Sequence, residues 1–173
     1  MSTPANAQPH DALELLAAEN AALIAMFRDY ERSKKTATAV EKGKQALRLC
    51  HRLSIQCAIK EEFFYPAAAV ALGENGQVML DQSRARQVEI QGQIDKIRNM
   101  KADELAFDPA LKTLGEFART QFKDEEEKLF PKLRHSGFDR VGAGEKLETR
   151  RLQLSTTPAG KADVREARRV LGS

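Results

Sequence analysis

Two stretches of the chain place a carboxamide four residues before a charged side chain. Gln56 precedes Lys60 in the first stretch, and Gln121 precedes Glu125 in the second. Residues four positions apart lie on one face of an α-helix, so each pair points in a single direction. If the two pairs face each other inside a helical bundle, the ammonium and the carboxylate can form an ion pair among hydrogen-bonded amides.

Polar side chains also interrupt the apolar stripes of the other two long helical segments. Asn20 falls on the stripe of the first segment and Gln82 on that of the third, where Val78 and Ala85 continue the spacing. An unsatisfied buried polar group costs roughly 1–3 kcal/mol, so buried polar neighbours are expected to bond one another. The alternative for any one helix is a phase error of one residue or a position at the bundle rim. The predicted core network consists of Asn20, Gln56, Lys60, Gln82, Gln121 and Glu125.

The helical period dominates the sequence, and recognisable breakers divide it into four long segments. Asp11 is predicted to cap the first helix, and Pro66 is predicted to kink or restart the second. The predicted helices span about 11–32, 39–65, 77–100 and 109–130, with a short amphipathic fifth helix near 141–154. Four long helices with short connections favour an all-α fold, an antiparallel up-down four-helix bundle with a short C-terminal fifth helix.

Length and composition narrow the function classes. A chain of 173 residues suits one domain, and we divide it into an N-terminal extension at 1–9, the bundle at 10–135, a trailing amphipathic helix at 136–154 and a mobile tail at 155–173. No run of about 20 apolar residues indicates a membrane span, and a net charge of +3 is too small to indicate nucleic-acid binding. Two cysteines and an N-terminus without a secretory signal pattern predict a soluble, cytoplasmic protein.

The stretches around the two charged pairs end alike. The first reads QCAIKEEFFYP (56–66) and the second reads QFKDEEEKLFP (121–131). These endings resemble the motif of the hemerythrin-like (HHE cation-binding) domains. That motif begins with a histidine, three further residues and a glutamate. It continues with more acidic residues and two or three apolar or aromatic residues, and it ends at a proline. The resemblance covers about residues 10–135, and GAGEKLETRRLQL resembles the helix that follows the bundle in that family. It implies the hemerythrin-like four-helix bundle.

In that family, histidines and glutamates inside the bundle bind two metal ions, commonly iron. By resemblance, Lys60 stands at the first glutamate position, and Glu125 is the residue that the family would also have. Amides stand at the four histidine positions, namely Asn20, Gln56, Gln82 and Gln121. The three histidines of the chain, His10, His51 and His135, stand at none of these positions.

An ammonium offers no lone pair and repels a cation. We therefore expect no metal and no other cofactor, with Lys60 in place of the metal's positive charge and Glu125 paired with it. The expected function is a non-enzymatic binding, regulatory or structural module. Its core could hold a small polar or anionic ligand near Lys60, and a homodimer is left open. The alternative is a di-iron protein that binds metal through Glu125, nearby carboxylates and His10, with the oxygen or nitric oxide sensing or iron handling of the family.

Overall fold

The computed structural model describes residues 11–156, and the regular structure in that part of the chain is helical throughout. The α-helices are α1 (Ala12–Ser33), α2 (Ala39–Ile59), α3 (Tyr65–Leu72), α4 (Gln77–Arg98), α5 (Phe107–Asp124), α6 (Phe130–Arg134) and α7 (Arg140–Thr156). Two π-helical turns, π1 (Lys60–Phe64) and π2 (Glu125–Leu129), join α2 to α3 and α5 to α6, and a 3-10 turn (Gly73–Gly76) precedes α4. The predicted extension at 1–9 lies outside the described residues, as does the predicted tail beyond residue 156.

The first two helices begin at side-chain caps that the local sequence supplies. The Asp11 carboxylate accepts a hydrogen bond from the Leu13 amide at 2.8 Å, which satisfies an amide that has no partner within α1. Thr38 and Glu41 form a capping box at the start of α2, in which each side chain accepts from the backbone N–H of the other residue. The caps fix where α1 and α2 begin, and therefore the level at which their polar side chains lie.

Proline explains the two π-turns. It has no backbone N–H, and its ring clashes with the carbonyl group four residues earlier in a regular α-helix. Pro66 and Pro131 each lie two residues after a π-turn, which adds one residue to the turn and lets the helix continue. The hydrogen bonds that close the turns run from N–H to carbonyl, from Tyr65 to Lys60 and from Phe130 to Glu125. The helix predicted to kink or restart at Pro66 thus continues through it.

The apolar core consists of two clusters separated by polar side chains. Members of the first cluster include Leu23, Phe27, Tyr30, Leu49, Leu53, Ile90, Leu114 and Phe122. Members of the second include Leu13, Leu16, Phe64, Tyr65, Leu80, Leu129, Phe130 and Leu147. Along α1, Asn20 lies between Leu16 of the second cluster and Leu23 of the first. The buried polar side chains therefore form a layer between two apolar regions.

The phase predicted for the third long helix is wrong. Gln82 is exposed, and so are Val78 and Ala85, which were predicted on the same inward stripe. The helix is rotated by one residue, so that Ser83 and Gln87 are the polar side chains that it buries. Val78, Met79 and Leu80 are consecutive and mark no single face, so the isoleucines of the second half set the rotation. The buried residues of α4 are Leu80, Ser83, Gln87, Ile90, Ile94 and Ile97.

The helix α7 packs against α1 and α2 and adds to the second apolar cluster. Its main contribution is Leu147, which is buried. Two ion pairs hold it from outside, Arg140 with Asp11 at 3.2 Å and Arg150 with Glu62 at 2.8 Å. In the range 11–156, no helix combines the length and the apolar composition that crossing a lipid bilayer requires.

Candidate functional site

The centre of the polar layer is an ion pair between Lys60 and Glu125. The Lys60 ammonium donates to both carboxylate oxygens, with Nζ–Oε1 at 3.2 Å and Nζ–Oε2 at 3.0 Å. Both side chains are 1% exposed, so solvent ions screen the attraction little. A buried pair is stable only where attraction and hydrogen bonds offset the hydration that both ions have lost.

The π-turns bring the two charges into the core and turn one further side chain inward behind each of them. Lys60 is the first residue of π1 and Glu125 is the first residue of π2. Because a π-turn closes over five residues rather than four, the residue five positions later is directed to the same side. That residue is Tyr65 in π1 and Phe130 in π2, and both are buried. The same spacing thus places an ammonium and a phenol in the core at π1, and a carboxylate and a phenyl ring at π2.

Tyr65 and Gln121 both donate to Oε1 of Glu125. The Tyr65 hydroxyl does so at 2.5 Å and the Gln121 amide nitrogen Nε2 at 3.1 Å. Nε2 of Gln121 also lies 2.8 Å from the Tyr65 hydroxyl oxygen and 3.4 Å from the Ser83 carbonyl oxygen. Tyr65 was not among the predicted network residues. Its position directly before a proline and five residues after Lys60 is the signal that could have identified it.

A second hydrogen-bonded chain runs from the layer to the surface. Nε2 of Gln56 donates to Oδ1 of Asn20 at 2.6 Å, and Nδ2 of Asn20 donates to Oε1 of Glu126 at 2.8 Å. Gln56 and Asn20 are buried, whereas Glu126 is exposed and reaches back to the layer. Glu126 was also outside the predicted network, because its phase on a regular helix directs it to solvent.

Five of the six residues predicted for the network lie in the buried layer: Asn20, Gln56, Lys60, Gln121 and Glu125. Gln82 does not, because α4 turns that side chain to solvent. Its neighbours on the inward face take part instead. Ser83 offers its carbonyl oxygen to Gln121, and Nε2 of Gln87 donates to the Cys57 carbonyl oxygen at 3.3 Å.

The sequence model of one protein family, the hemerythrin HHE cation-binding domain, matches residues 11–133. The chain belongs to this hemerythrin family. No curated protein and no solved structure matches it. The segment matched to the hemerythrin model begins at the cap of α1 and ends within α6, so it contains both proline endings and every residue of the polar layer.

The phenol and the thiol of this hemerythrin-family core stay neutral near neutral pH. Burial raises the pKa of Tyr65 well above its usual value, and the charge of Glu125 and the hydrogen bond to it raise it further. Burial also raises the pKa of Cys57 to about 11; the charge of Glu125 raises this pKa as well, whereas the charge of Lys60 lowers it.

The Lys60 ammonium lies 5.8 Å from the centroid of the Tyr65 ring and 5.7 Å from that of Phe122, within the range of a cation–π interaction. Both rings add to the attraction that Glu125 exerts on the ammonium.

The hemerythrin family is described as cation-binding, so we ask whether histidines and carboxylates of this chain lie close enough together to bind a metal ion. Among residues 11–156, no group of three or more His, Cys, Asp or Glu side chains is placed to hold a metal ion. His51 is half-buried beside a surface cavity of about 230 Å³, and His135 is exposed. His10, the histidine of the alternative metal site with Glu125, lies outside the described residues.

Proposed function

We propose that this chain is a hemerythrin-family bundle in which an internal ion pair replaces the metal centre. The observation that carries the proposal is the Lys60 ammonium, which is fully buried and bonded to both oxygens of Glu125. By family resemblance these two positions carry metal-binding glutamates, and here one of them supplies the positive charge itself. The protein then acts as a non-enzymatic binding, regulatory or structural module.

The groups in the layer do not fit a di-metal centre. The Lys60 ammonium repels cations and has no lone pair to offer. Oε1 of Glu125 already accepts from Lys60, Tyr65 and Gln121, and Oε2 accepts from Lys60. The buried amides stand where the family has imidazoles, which suit iron, and their neutral carbonyl oxygens suit hard cations such as Mg²⁺ instead. We therefore assign no reaction step to a metal in this protein.

The layer is suited to fixing how the helices associate. Lys60 and Glu125 lie on different helical units, and a slip of one turn between these units would separate them. An unpaired charge in the core costs several kcal/mol, so alternative registers are strongly disfavoured. Single buried polar residues fix register and orientation in other helical bundles. We propose that this layer enforces an antiparallel up-down arrangement of the four long helical units.

The buried thiol of Cys57 supports a cytoplasmic location in this proposal. Cys57 forms no disulfide within the described range. Buried thiols of this kind are typical of the cytosol rather than of oxidising compartments. Fractionation of cells that produce the tagged chain tests this location, and recovery from a secreted or periplasmic fraction would contradict it.

Metal analysis of the purified protein tests the proposal. Protein produced in iron-supplemented medium should contain iron far below one ion per chain and should lack the absorption bands of an oxo-bridged di-iron centre. The matched control restores the residue types of the family at four positions, Asn20→His, Gln56→His, Lys60→Glu and Gln121→His. This variant should gain iron. Stoichiometric iron in the wild-type chain would overturn the proposal.

Membership of a cation-binding family favours one second candidate, a protein that still binds metal. It would use Glu125, nearby carboxylates and His10 after rearrangement of the layer, and would handle iron or sense oxygen or nitric oxide. The variant Glu125→Gln separates the two candidates. If the chain is a metalloprotein, this variant should lose its iron. If the core contains the ion pair instead, the iron content should stay as low as in the wild type.

A further inference from the structure

Three carboxamide oxygens of buried glutamines have no hydrogen-bond partner among the described residues. They are the Oε1 atoms of Gln56, Gln87 and Gln121. These residues are 1%, 7% and 1% exposed, so bulk water does not reach the oxygens. An unsatisfied buried acceptor costs about 1–3 kcal/mol, and native cores contain few of them. Three such acceptors in one layer therefore point to a donor that binds there.

The Gln121 amide is not satisfied by exchanging its nitrogen and oxygen. Its nitrogen faces Oε1 of Glu125, the Tyr65 hydroxyl oxygen and the Ser83 carbonyl oxygen. The Tyr65 hydroxyl hydrogen is already directed to Glu125. An exchanged amide would therefore set its oxygen against three acceptors, and the observed orientation follows from the chemistry of the neighbours.

The orientation of Gln56 is fixed from the surface inward. The Glu126 carboxylate can only accept, so Asn20 must present its nitrogen to it. The oxygen of Asn20 then faces Gln56, which must present its own nitrogen in turn. Carboxylates at both ends of the layer thus draw the amide N–H groups toward themselves. What they leave among residues 11–156 is a surplus of acceptors, three amide oxygens against one buried donor without a hydrogen bond, Nε of Arg84, which lies 3.4 Å from Oε1 of Glu61.

We infer that the polar layer binds a water molecule beside Lys60 as an internal hydrogen-bond donor. A water molecule has two O–H donors and two lone pairs, and in this assignment it donates to Oε1 of Gln56 and of Gln121 and accepts from Lys60. The ammonium has three N–H groups, and its hydrogen bonds within the described chain go to the two oxygens of Glu125. Gln121 shares Oε1 of Glu125 with Lys60, and Gln56 lies one turn before Lys60 on the same helix.

The surplus of acceptors also defines which ligands the layer can take. An anion would face carboxamide and carboxylate oxygens and would be repelled by them. Water supplies the donors that these oxygens lack, whereas the charge of Lys60 would repel an ammonium ion. The inference rests on the proposed ion pair, because Lys60 is one partner of the water.

A crystal structure at a resolution that shows ordered water tests the inference. We expect one water within hydrogen-bond distance of Oε1 of Gln56, Oε1 of Gln121 and Nζ of Lys60, in crystals grown without ammonium salts. A peak that requires ammonium would overturn the assignment to water. A dry layer around an intact ion pair would overturn this inference and leave the proposed function standing. A metal ion on Glu125 would overturn both.

Nuclear magnetic resonance tests the same site in solution. In ¹⁵N-labelled protein, the side-chain amides of Gln56 and Gln121 should show dipolar cross-peaks to a long-lived water. Gln56→Leu removes one acceptor and should abolish the cross-peak at Gln121, whereas Gln82→Leu on the exposed face should leave it unchanged. If Gln56→Leu does not fold, the wild-type spectrum decides, and absence of both cross-peaks there would overturn the inference.

Discussion

The two proline endings of this bundle share one backbone design and differ in the charge that they bring into the core. Each has a glutamine, a charged residue four positions later that begins a π-turn, and a proline six positions after that residue. The first ending supplies the ammonium of Lys60 and the phenol of Tyr65, and the second supplies the carboxylate of Glu125. The backbone design therefore accepts either sign of charge, whereas the core requires the two signs to be opposite.

The acidic residues that follow the paired charges also serve the two endings differently. In the first ending, Glu62 binds Arg150 of α7 at the surface. In the second, Glu126 accepts from Asn20 and so extends the network of the layer. The acidic residue of the first ending thus binds α7 at the surface, and that of the second ending accepts a hydrogen bond from an amide of the polar layer.

Removal of the buried cation should have the largest effect. Lys60→Met leaves Glu125 in the core without a counter-charge, and we expect the free energy of unfolding to fall by about 3–5 kcal/mol. The double variant Lys60→Met, Glu125→Leu should recover much of this loss, since apolar replacements of a buried pair are often neutral. Urea unfolding followed by circular dichroism measures both values.

The exposed pair of Arg150 and Glu62 provides the control for this cycle. Arg150→Met should change stability little, because solvent screens a surface pair. A Lys60→Met protein as stable as the wild type would contradict the buried ion pair. If that single variant does not fold, a folded double variant leads to the same conclusion.

The phenol beside the carboxylate is the next largest contribution. Tyr65→Phe removes a hydroxyl that donates to Glu125, and hydrogen bonds to charged groups contribute about 1.5–3 kcal/mol. We expect the thermal midpoint Tm to fall by several degrees. The matched change in the other ending, Phe130→Tyr, should not compensate, because it adds a hydroxyl among apolar rings. Unchanged stability of Tyr65→Phe would show that the two endings do not differ in this respect.

The raised pKa of Tyr65 predicts a pH dependence on the alkaline side. Its pKa in the folded state lies well above the value near 10 of the unfolded chain. The stabilisation is therefore fully present below about pH 10 and is lost as the pH rises toward the folded-state pKa. The difference in unfolding free energy between the wild type and Tyr65→Phe should be constant near neutral pH and should shrink above about pH 10. A difference that is still constant there would contradict the assignment.

The smallest effect is expected from the glutamine that α4 turns outward. Gln82→Leu should change the free energy of unfolding by less than about 0.5 kcal/mol, because the side chain is exposed. Gln56→Leu deprives Asn20 of its donor and should cost about 1–3 kcal/mol. Equal losses in the two variants, measured by the same urea titration, would contradict the observed rotation of α4.

The family and the long helices could be predicted from the sequence because they depend on local features. Apolar spacing marks the helices, and an acidic, aromatic and proline ending is visible in a single stretch such as 56–66. The inward direction of Gln56 and Lys60 follows from strong apolar residues on both sides of them. In α4 no large apolar residue is buried between Leu80 and Ile90, so the local pattern does not determine the rotation there, and Gln82 was placed on the wrong face.

Two members of the layer could not be predicted from regular helical spacing. Tyr65 points inward because a π-turn adds one residue between it and Lys60. Glu126 joins the layer because its flexible side chain reaches back from an exposed position to Asn20. The direction of Tyr65 depends on how Pro66 alters the helix, and that of Glu126 depends on which partner lies opposite, so neither follows from regular helical spacing.

The most direct test of the ion pair as a replacement for metal is the Tm of the chain with added ferrous iron under anaerobic conditions. A ligand that binds only the folded state stabilises it by about 2.7 kcal/mol at a hundred times its Kd, which corresponds to about 5–10 °C for a chain of this size. We predict no change in the wild-type Tm and a rise in the variant with the four family-type residues. A saturable rise in the wild type that Glu125→Gln abolishes would contradict the account.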